Sequence, residues 1–205
     1  MTLLQTVLLN AMDPFPPAEQ GSAARLPLTV ELHPEDAAAD PVQSKRIVFS
    51  CGDVRLELSA LLQLLRTAPP LPEVDVDHAA AAALGQSGQC DQAAVSFLRL
   101  AVRGDAPVAA LYGLATQLFQ AGHAKQARQI AQFLAAVWTD DPRPLAMLGT
   151  IQGELSAVRD ARNSLAMAAH ISRRNPGFRG VLRYAQRELL KLQFHDTADP
   201  QVRKV

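Results

Sequence analysis

The feature that most constrains this chain is a stride of 34 residues. Gly88, Gly122 and Ser156 are spaced by it, and so are Ala93, Ala127 and Ala161, and Ala81, Ala115 and Gly149. Starting at Gly88, the string GQCDQAAVSFLRLA aligns with GHAKQARQIAQFLA and SAVRDARNSLAMAA. Phe97, Ala131 and Leu165 then share one register, and Leu100, Leu134 and Ala168 another. A period of this length, repeated three times, describes one helical hairpin stacked on copies of itself.

Small residues at the eighth and twentieth positions of the unit, a turn glycine at the fifteenth and an apolar residue at the twenty-fourth resemble the tetratricopeptide repeat. The physical reason for the small residues is close packing, because two antiparallel helices approach only where the facing residues lack bulk. Ala81 against Ala93, Ala115 against Ala127, and Gly149 against Ala161 are the expected crossings. Pro142 and Pro176 repeat the stride and each opens a helix, where a missing amide proton costs nothing. The pattern predicts helix pairs HAAAAALGQS and DQAAVSFLRLAVR, VAALYGLATQLFQAG and KQARQIAQFLAAVW, and PLAMLGTIQGEL and VRDARNSLAMAAHISR. A last helix over about Phe178–Phe194 has no later partner, and it covers the apolar face an open-ended array leaves exposed.

Upstream the signals change. Residues 1–10 suit a short helix, and Pro14, Pro16 and Pro17 end it in an arm running to Ser22. Leu26–Leu32 has strand composition, while Ile47–Ser50 and Val54–Leu58 flank the hairpin punctuation Cys51-Gly52-Asp53. Ser59 is positioned to cap a helix over ALLQLLR, and Pro69, Pro70 and Pro72 mark a linker. The expected fold is mainly α: three tetratricopeptide-type hairpins plus a C-terminal capping helix, with a small β-containing N-terminal element. The expected division is 1–72 for the arm and β-hairpin/helix element, 73–195 for the repeats and 196–205 for a flexible tail. The N-terminal element is too small to be stable unless it packs on the repeats or on a partner.

Composition narrows the function classes. Twenty acidic and twenty basic side chains cancel, which argues against general nucleic-acid binding or a membrane-surface role, since both draw on a net positive field. The balance is uneven, with ten acidic and five basic residues over 1–75 against three acidic and eight basic over 173–205. MTLLQTVLLNAMDPFPP has no Lys or Arg ahead of its apolar run, so no secretory signal or membrane insertion is expected and the cytoplasm is the default location. Cys51 and Cys90 form no CxxC and have no histidine pair beside them. They read as idle thiols in a reducing compartment, the alternative being a disulfide or metal role.

No catalytic constellation emerges. His33, His78, His123, His170 and His195 are scattered, and there is no phosphate-binding loop, GxSxG or HExxH. Asp140-Asp141 before Pro142 reads as an interhelical turn that complements the next helix dipole. An enzyme is not expected, nor a cofactor or metal. The informative surface is the concave one, lined by helix A positions two, five, nine, twelve and thirteen in such repeats. These are Ala109, Tyr112, Thr116, Phe119 and Gln120 in the second unit, and Arg143, Ala146, Thr150, Gly153 and Glu154 in the third. Tyr112, Thr116, Phe119, Gln120, Arg143, Ala146 and Thr150 are the candidate groove residues, offering apolar pockets to an extended peptide. The alternative reading makes Tyr112 and Phe119 ordinary core residues. Arg179, Arg183, Arg187 and Lys191 form a basic stripe on the last helix, either a solvated outer face or a surface for an acidic partner or for the chain's own acidic N-terminal portion. Trp138 is expected to pack between repeats.

The runs YGLATQLFQAGHAKQARQIAQFLAAVWTDDPRPLAMLGTIQGE and ISRRNPGFRGVLRYAQRELLKL are similar to the tetratricopeptide chaperones of bacterial type III secretion systems, the class that escorts translocator proteins. An F-Q-x-G-x-x-x-x-A stretch opens a repeat there and P-x-F closes the array. Phe119, Gln120, Gly122 and Ala127, then Pro176 and Phe178, fill these places. The resemblance covers residues 78–194. It implies an all-helical, often homodimeric cytoplasmic chaperone whose groove holds an extended segment of a secreted client. The first 75 residues depart from it, since the family has a shorter helical arm there. A structural or assembly scaffold subunit of a larger secretion complex is the alternative.

Overall fold

The computed structural model describes residues 28–34, 44–66, 77–104 and 106–198. The expected N-terminal helix and arm, and the proline linker, lie outside them. Strands β1 (Thr29–Pro34), β2 (Ser44–Cys51) and β3 (Val54–Glu57) are followed by helix α1 (Ser59–Leu65). Seven longer helices come next: α2 (His78–Gln86), α3 (Cys90–Arg103), α4 (Pro107–Gln120), α5 (Ala124–Val137), α6 (Pro142–Glu154), α7 (Val158–Arg174) and α8 (Arg179–Ala198). A 3-10 turn, Pro176–Phe178, precedes α8. The chain divides into two compact units, one ending at Val137 and the other beginning at Trp138.

In the first unit the strands form an antiparallel meander in the order β1-β2-β3. Cys51 pairs with Val54 across a two-residue turn. Gly52 holds φ 58 there while Asp53 keeps a negative φ, the arrangement of a turn with glycine at its first central position. The sequence thus locates the hairpin correctly, and the strand composition at Leu26–Leu32 appears as β1, shifted to Thr29–Pro34 and paired with β2. Ile47, Phe49, Leu56, Leu58, Leu61, Leu62 and Leu65 are buried. β3 packs on α5 and α1 touches α3, so the apolar side of a small sheet is covered by the first two hairpins. Ser59 proves to be the first helical residue, and Leu58 stands at the cap position with no side-chain cap hydrogen bond.

The hairpins α2–α3, α4–α5 and α6–α7 carry the 34-residue stride into backbone geometry. Gly88, Gly122 and Ser156 all have positive φ, at 85°, 87° and 59°. At each turn the next amide reaches back five residues: Gln89 N–H to Leu84 O at 3.0 Å, His123 N–H to Leu118 O at 2.8 Å, and Ala157 N–H to Gln152 O at 2.8 Å. These bonds satisfy carbonyls that the end of helix A leaves without a partner. The small crossing residues Ala81, Ala93, Ala115, Ala127 and Ala161 are fully buried. A Cβ on Gly149 would lie 2.6 Å from Leu165 Cγ and 3.1 Å from Ala161 O, so the third hairpin closes only with glycine at that place.

In the second unit α8 packs along α7 and touches α6. Val181, Tyr184 and Ala185 join Ala146, Leu165, Ala168 and Ala169 in one apolar cluster, with Phe178, Leu182, Leu189 and Leu192 at its margin. The last helix therefore covers the third hairpin, as open-ended repeats require. It continues to Ala198, three residues past the boundary expected at 195.

Ser156 is the non-glycine member of the turn series, and an L side chain in the left-handed region is disfavoured by about 1 kcal/mol. Ser156→Gly is expected to stabilise the protein by about that amount, read as a higher urea midpoint at unchanged slope. A lower midpoint would contradict the turn assignment.

Candidate functional site

The expected groove residues divide between the two units, four on α4 and three on α6. On α4 the apolar residues surround the whole helix, and every residue from Ala110 to Leu118 is buried. A helix apolar on all sides belongs inside a structure. Tyr112 and Thr116 are each only 4% exposed, and Thr116 Oγ1 donates back to Tyr112 O at 2.9 Å. Tyr112 is therefore a core residue, as the alternative reading of the sequence held. Phe119 and Gln120, at the C-terminal end of α4, are half-buried and remain accessible. Gln120 Oε1 lies 3.8 Å from the Cys90 thiol as its acceptor. Burial pushes the Cys90 thiol up, reinforced by the neighbouring Asp91 carboxylate, so it stays neutral and poorly nucleophilic. Both cysteines are free thiols.

Gln117 was not among the expected residues. Its Oε1 is buried without a hydrogen-bond partner, and its amide lies against Gly85 on α2, where a Cβ would collide with it. A glutamine in a helix otherwise lacking charge was the available sequence signal.

On α6 the three candidates are engaged by neighbours. Asp141 caps the helix, accepting from Arg143 N–H at 2.9 Å, and also grips the Arg143 side chain through Nε and Nη2. Both residues are buried, and the guanidinium sits 5.7 Å from the centroid of the Phe178 ring. The acidic turn expected before Pro142 is thus a cap, a buried bidentate ion pair and a cation–π contact at once. Ala146 is enclosed by the α8 cluster. Thr150 Oγ1 donates to Ala146 O at 3.0 Å and shares a 2.5 Å hydrogen bond with the Tyr184 hydroxyl. Arg143, Ala146 and Thr150 therefore face their own capping segment, which corrects their expected placement on an open groove.

Beyond these, Ser164 Oγ donates to Gln152 Oε1 at 2.7 Å and Arg162 reaches Leu192 O at 3.1 Å. Among the described residues no group of His, Cys, Asp and Glu has the arrangement of a metal site. No helix among them is long and apolar enough to cross a membrane. Trp138 is buried at the start of the second unit.

The geometry defines a tetratricopeptide-type helical repeat. No protein-family model and no curated sequence matches the chain. Among solved structures, it is similar to PcrH from Pseudomonas aeruginosa, at 19% identity and a TM-score of 0.53, over 56% of this chain and 87% of that one. PcrH in complex with the chaperone binding region of PopD aligns at 18% identity and a TM-score of 0.52, over 67% of this chain and 94% of that one. The Yersinia enterocolitica type III secretion chaperone SycD, in complex with a peptide of the translocator YopD, aligns at 17% identity and a TM-score of 0.53, over 67% and 96%. At these identities the likeness is one of fold.

Two outcomes test this geometry. Asp141→Ala removes a cap and the carboxylate of a buried arginine, and is expected to cost about 3 kcal/mol in urea unfolding; a loss within error of zero would refute the paired arrangement. Burial pushes the Tyr184 phenol up to about 12, partly offset by its bond to Thr150. Folding thus favours the neutral phenol, so this contribution is complete below about pH 10 and is lost as pH rises towards 12. Tyr184→Phe should flatten the decline of stability across that window, and an unchanged slope would place the hydroxyl in water.

Proposed function

We propose that this protein is a non-enzymatic peptide-binding chaperone of a type III secretion system, acting in the cytoplasm. It holds an extended apolar segment of a secreted client against the half-buried C-terminal end of α4. The observation that carries the reading is the shared fold with PcrH and SycD, both solved with translocator segments bound. Phe119 and Gln120 supply accessible apolar and amide surface on α4, while Tyr112 and Thr116 form the packed floor that fixes their helix. Arg143, Ala146 and Thr150 hold α6 to its capping helix. Aromatic surface of this kind shields a segment that would otherwise aggregate, and an adjacent amide pairs with extended backbone.

The sheet packs on α5, so truncating residues 1–72 would expose the second hairpin as well as remove the N-terminal element. A point variant is the cleaner test. Phe119→Glu is expected to reduce client co-purification by at least about tenfold, because a charge replaces a desolvated ring, with far-ultraviolet circular dichroism and urea midpoint unchanged. Undiminished client capture by a folded Phe119→Glu protein would remove this end of α4 from the mechanism. Tyr112→Glu cannot serve, since it would bury a charge in the core.

A further inference from the structure

The basic stripe read from the sequence divides into two unlike halves. Glu188 pairs with both cations of the C-terminal half, lying 3.4 Å from Arg187 Nε and 2.8 Å from Lys191 Nζ, while Arg187 also lies over the Tyr184 ring at 5.5 Å. The N-terminal half has no such partner. Arg179 and Arg183 stand in the first two turns of α8, and Arg173 and Arg174 in the last turn of α7, joined by the short turn at Pro176–Phe178. All four are exposed, and among the described residues none makes an ion pair or hydrogen bond. No Asp or Glu occurs in the sequence between Asp160 and Glu188.

Local stability does not account for this arrangement. Arg173 and Arg174 suit the negative end of the α7 dipole, but Arg179 and Arg183 crowd the positive end of α8. That helix has no acidic residue in its first turn. Four like charges beside a helix N-terminus repel one another and the dipole. A feature that opposes its own fold without internal compensation is a candidate for function.

We propose that Arg173, Arg174, Arg179 and Arg183 form a docking surface for a carboxylate-rich segment of a partner protein, separate from the client-binding end of α4. The patch is built from arginine alone, whose planar fork pairs with carboxylates through two parallel hydrogen bonds. A polyanion such as nucleic acid or an anionic bilayer draws on an extended positive surface. Here the four arginines stand together at one end of one unit, and the chain as a whole carries twenty acidic side chains against twenty basic ones. Phe178, in the turn between the two helices, is half-buried and engaged by Arg143, and Tyr184 is buried, so neither offers a platform for base stacking. A short acidic peptide matches the charge and extent of the patch. The surface does not depend on the chaperone reading and would equip the protein to hand over or anchor whatever it carries.

The test is fluorescence anisotropy of a short labelled Glu- and Asp-rich peptide with the full chain, at low and at physiological ionic strength. Parallel arms use phosphatidylserine-containing vesicles and a single-stranded uridine oligonucleotide. The peptide should bind, more weakly as salt rises. The double variant Arg179→Glu/Arg183→Glu should bind it about tenfold or more weakly, whereas Arg159→Glu, at the far end of α7, should not. Arg179→Gln/Arg183→Gln should fall between, and neither double variant should lower the urea midpoint, since both relieve the dipole conflict. The proposal is overturned if the peptide does not bind, if Arg159→Glu weakens it equally, or if the vesicles or oligonucleotide bind more tightly through these arginines.

Discussion

The repeats depend on helices approaching more closely than a side chain permits. A Cβ on Gly113 would lie 2.5 Å from the Phe97 ring, and one on Gly149 would lie 2.6 Å from Leu165 Cγ. Between those limits the alanines at the crossings supply a methyl group and nothing more. Packing at crystal-like density makes such positions intolerant of added volume, which is why a run of alanine and glycine specifies this fold more firmly than a run of leucine would. The turn between helices adds a second constraint. Three left-handed residues, each followed by an amide that reaches back five positions, set the angle at which helix B returns over helix A.

The sheet follows from the same need for coverage. Three short strands bury too little to stand alone, and an amphipathic helix such as α5 has a face left to cover. β3 on α5 and α1 on α3 meet both needs within the unit ending at Val137. The N-terminal element is thus part of the support of the first two hairpins, which explains why a chain with recognisable repeats also carries strands.

What the sequence revealed and what it hid have physical causes. Helix existence, pairing and turns were legible because the 34-residue stride repeats small residues at fixed places, and the β2–β3 turn was legible from Cys51-Gly52-Asp53. Depth was not. A repeat register states which way a side chain points around its helix, not how much of the molecule lies above it, so Tyr112 and Thr116 could be assigned to a face and still be buried. The signal that separates the cases was present, since PVAALYGLATQLFQ contains no charged residue and such a helix has no solvent side. The Asp141–Arg143–Phe178 and Thr150–Tyr184 contacts were harder to foresee. They join residues 34 and 35 positions apart through chemistry that no single repeat contains.

Those contacts also determine how the three hairpins can differ in role. Interior and terminal repeats share a register, but only the terminal one must present its outer positions to a cap. Ala146 lies under Val181, Tyr184 and Ala185, and Thr150 binds the Tyr184 hydroxyl; Tyr184 itself stands one stride beyond Thr150, where the next helix A would place its equivalent residue. The capping helix thus occupies the site of a missing repeat and uses polar as well as apolar contacts to hold it. The same helix A positions are enclosed in both copies by different means, Tyr112 and Thr116 within the first unit and Ala146 under the capping helix. Phe119 and Gln120 at the end of α4, like Gly153 and Glu154 at the end of α6, stay accessible. Identical spacing in the sequence yields the same depth because the capping helix takes the place of the repeat that is missing.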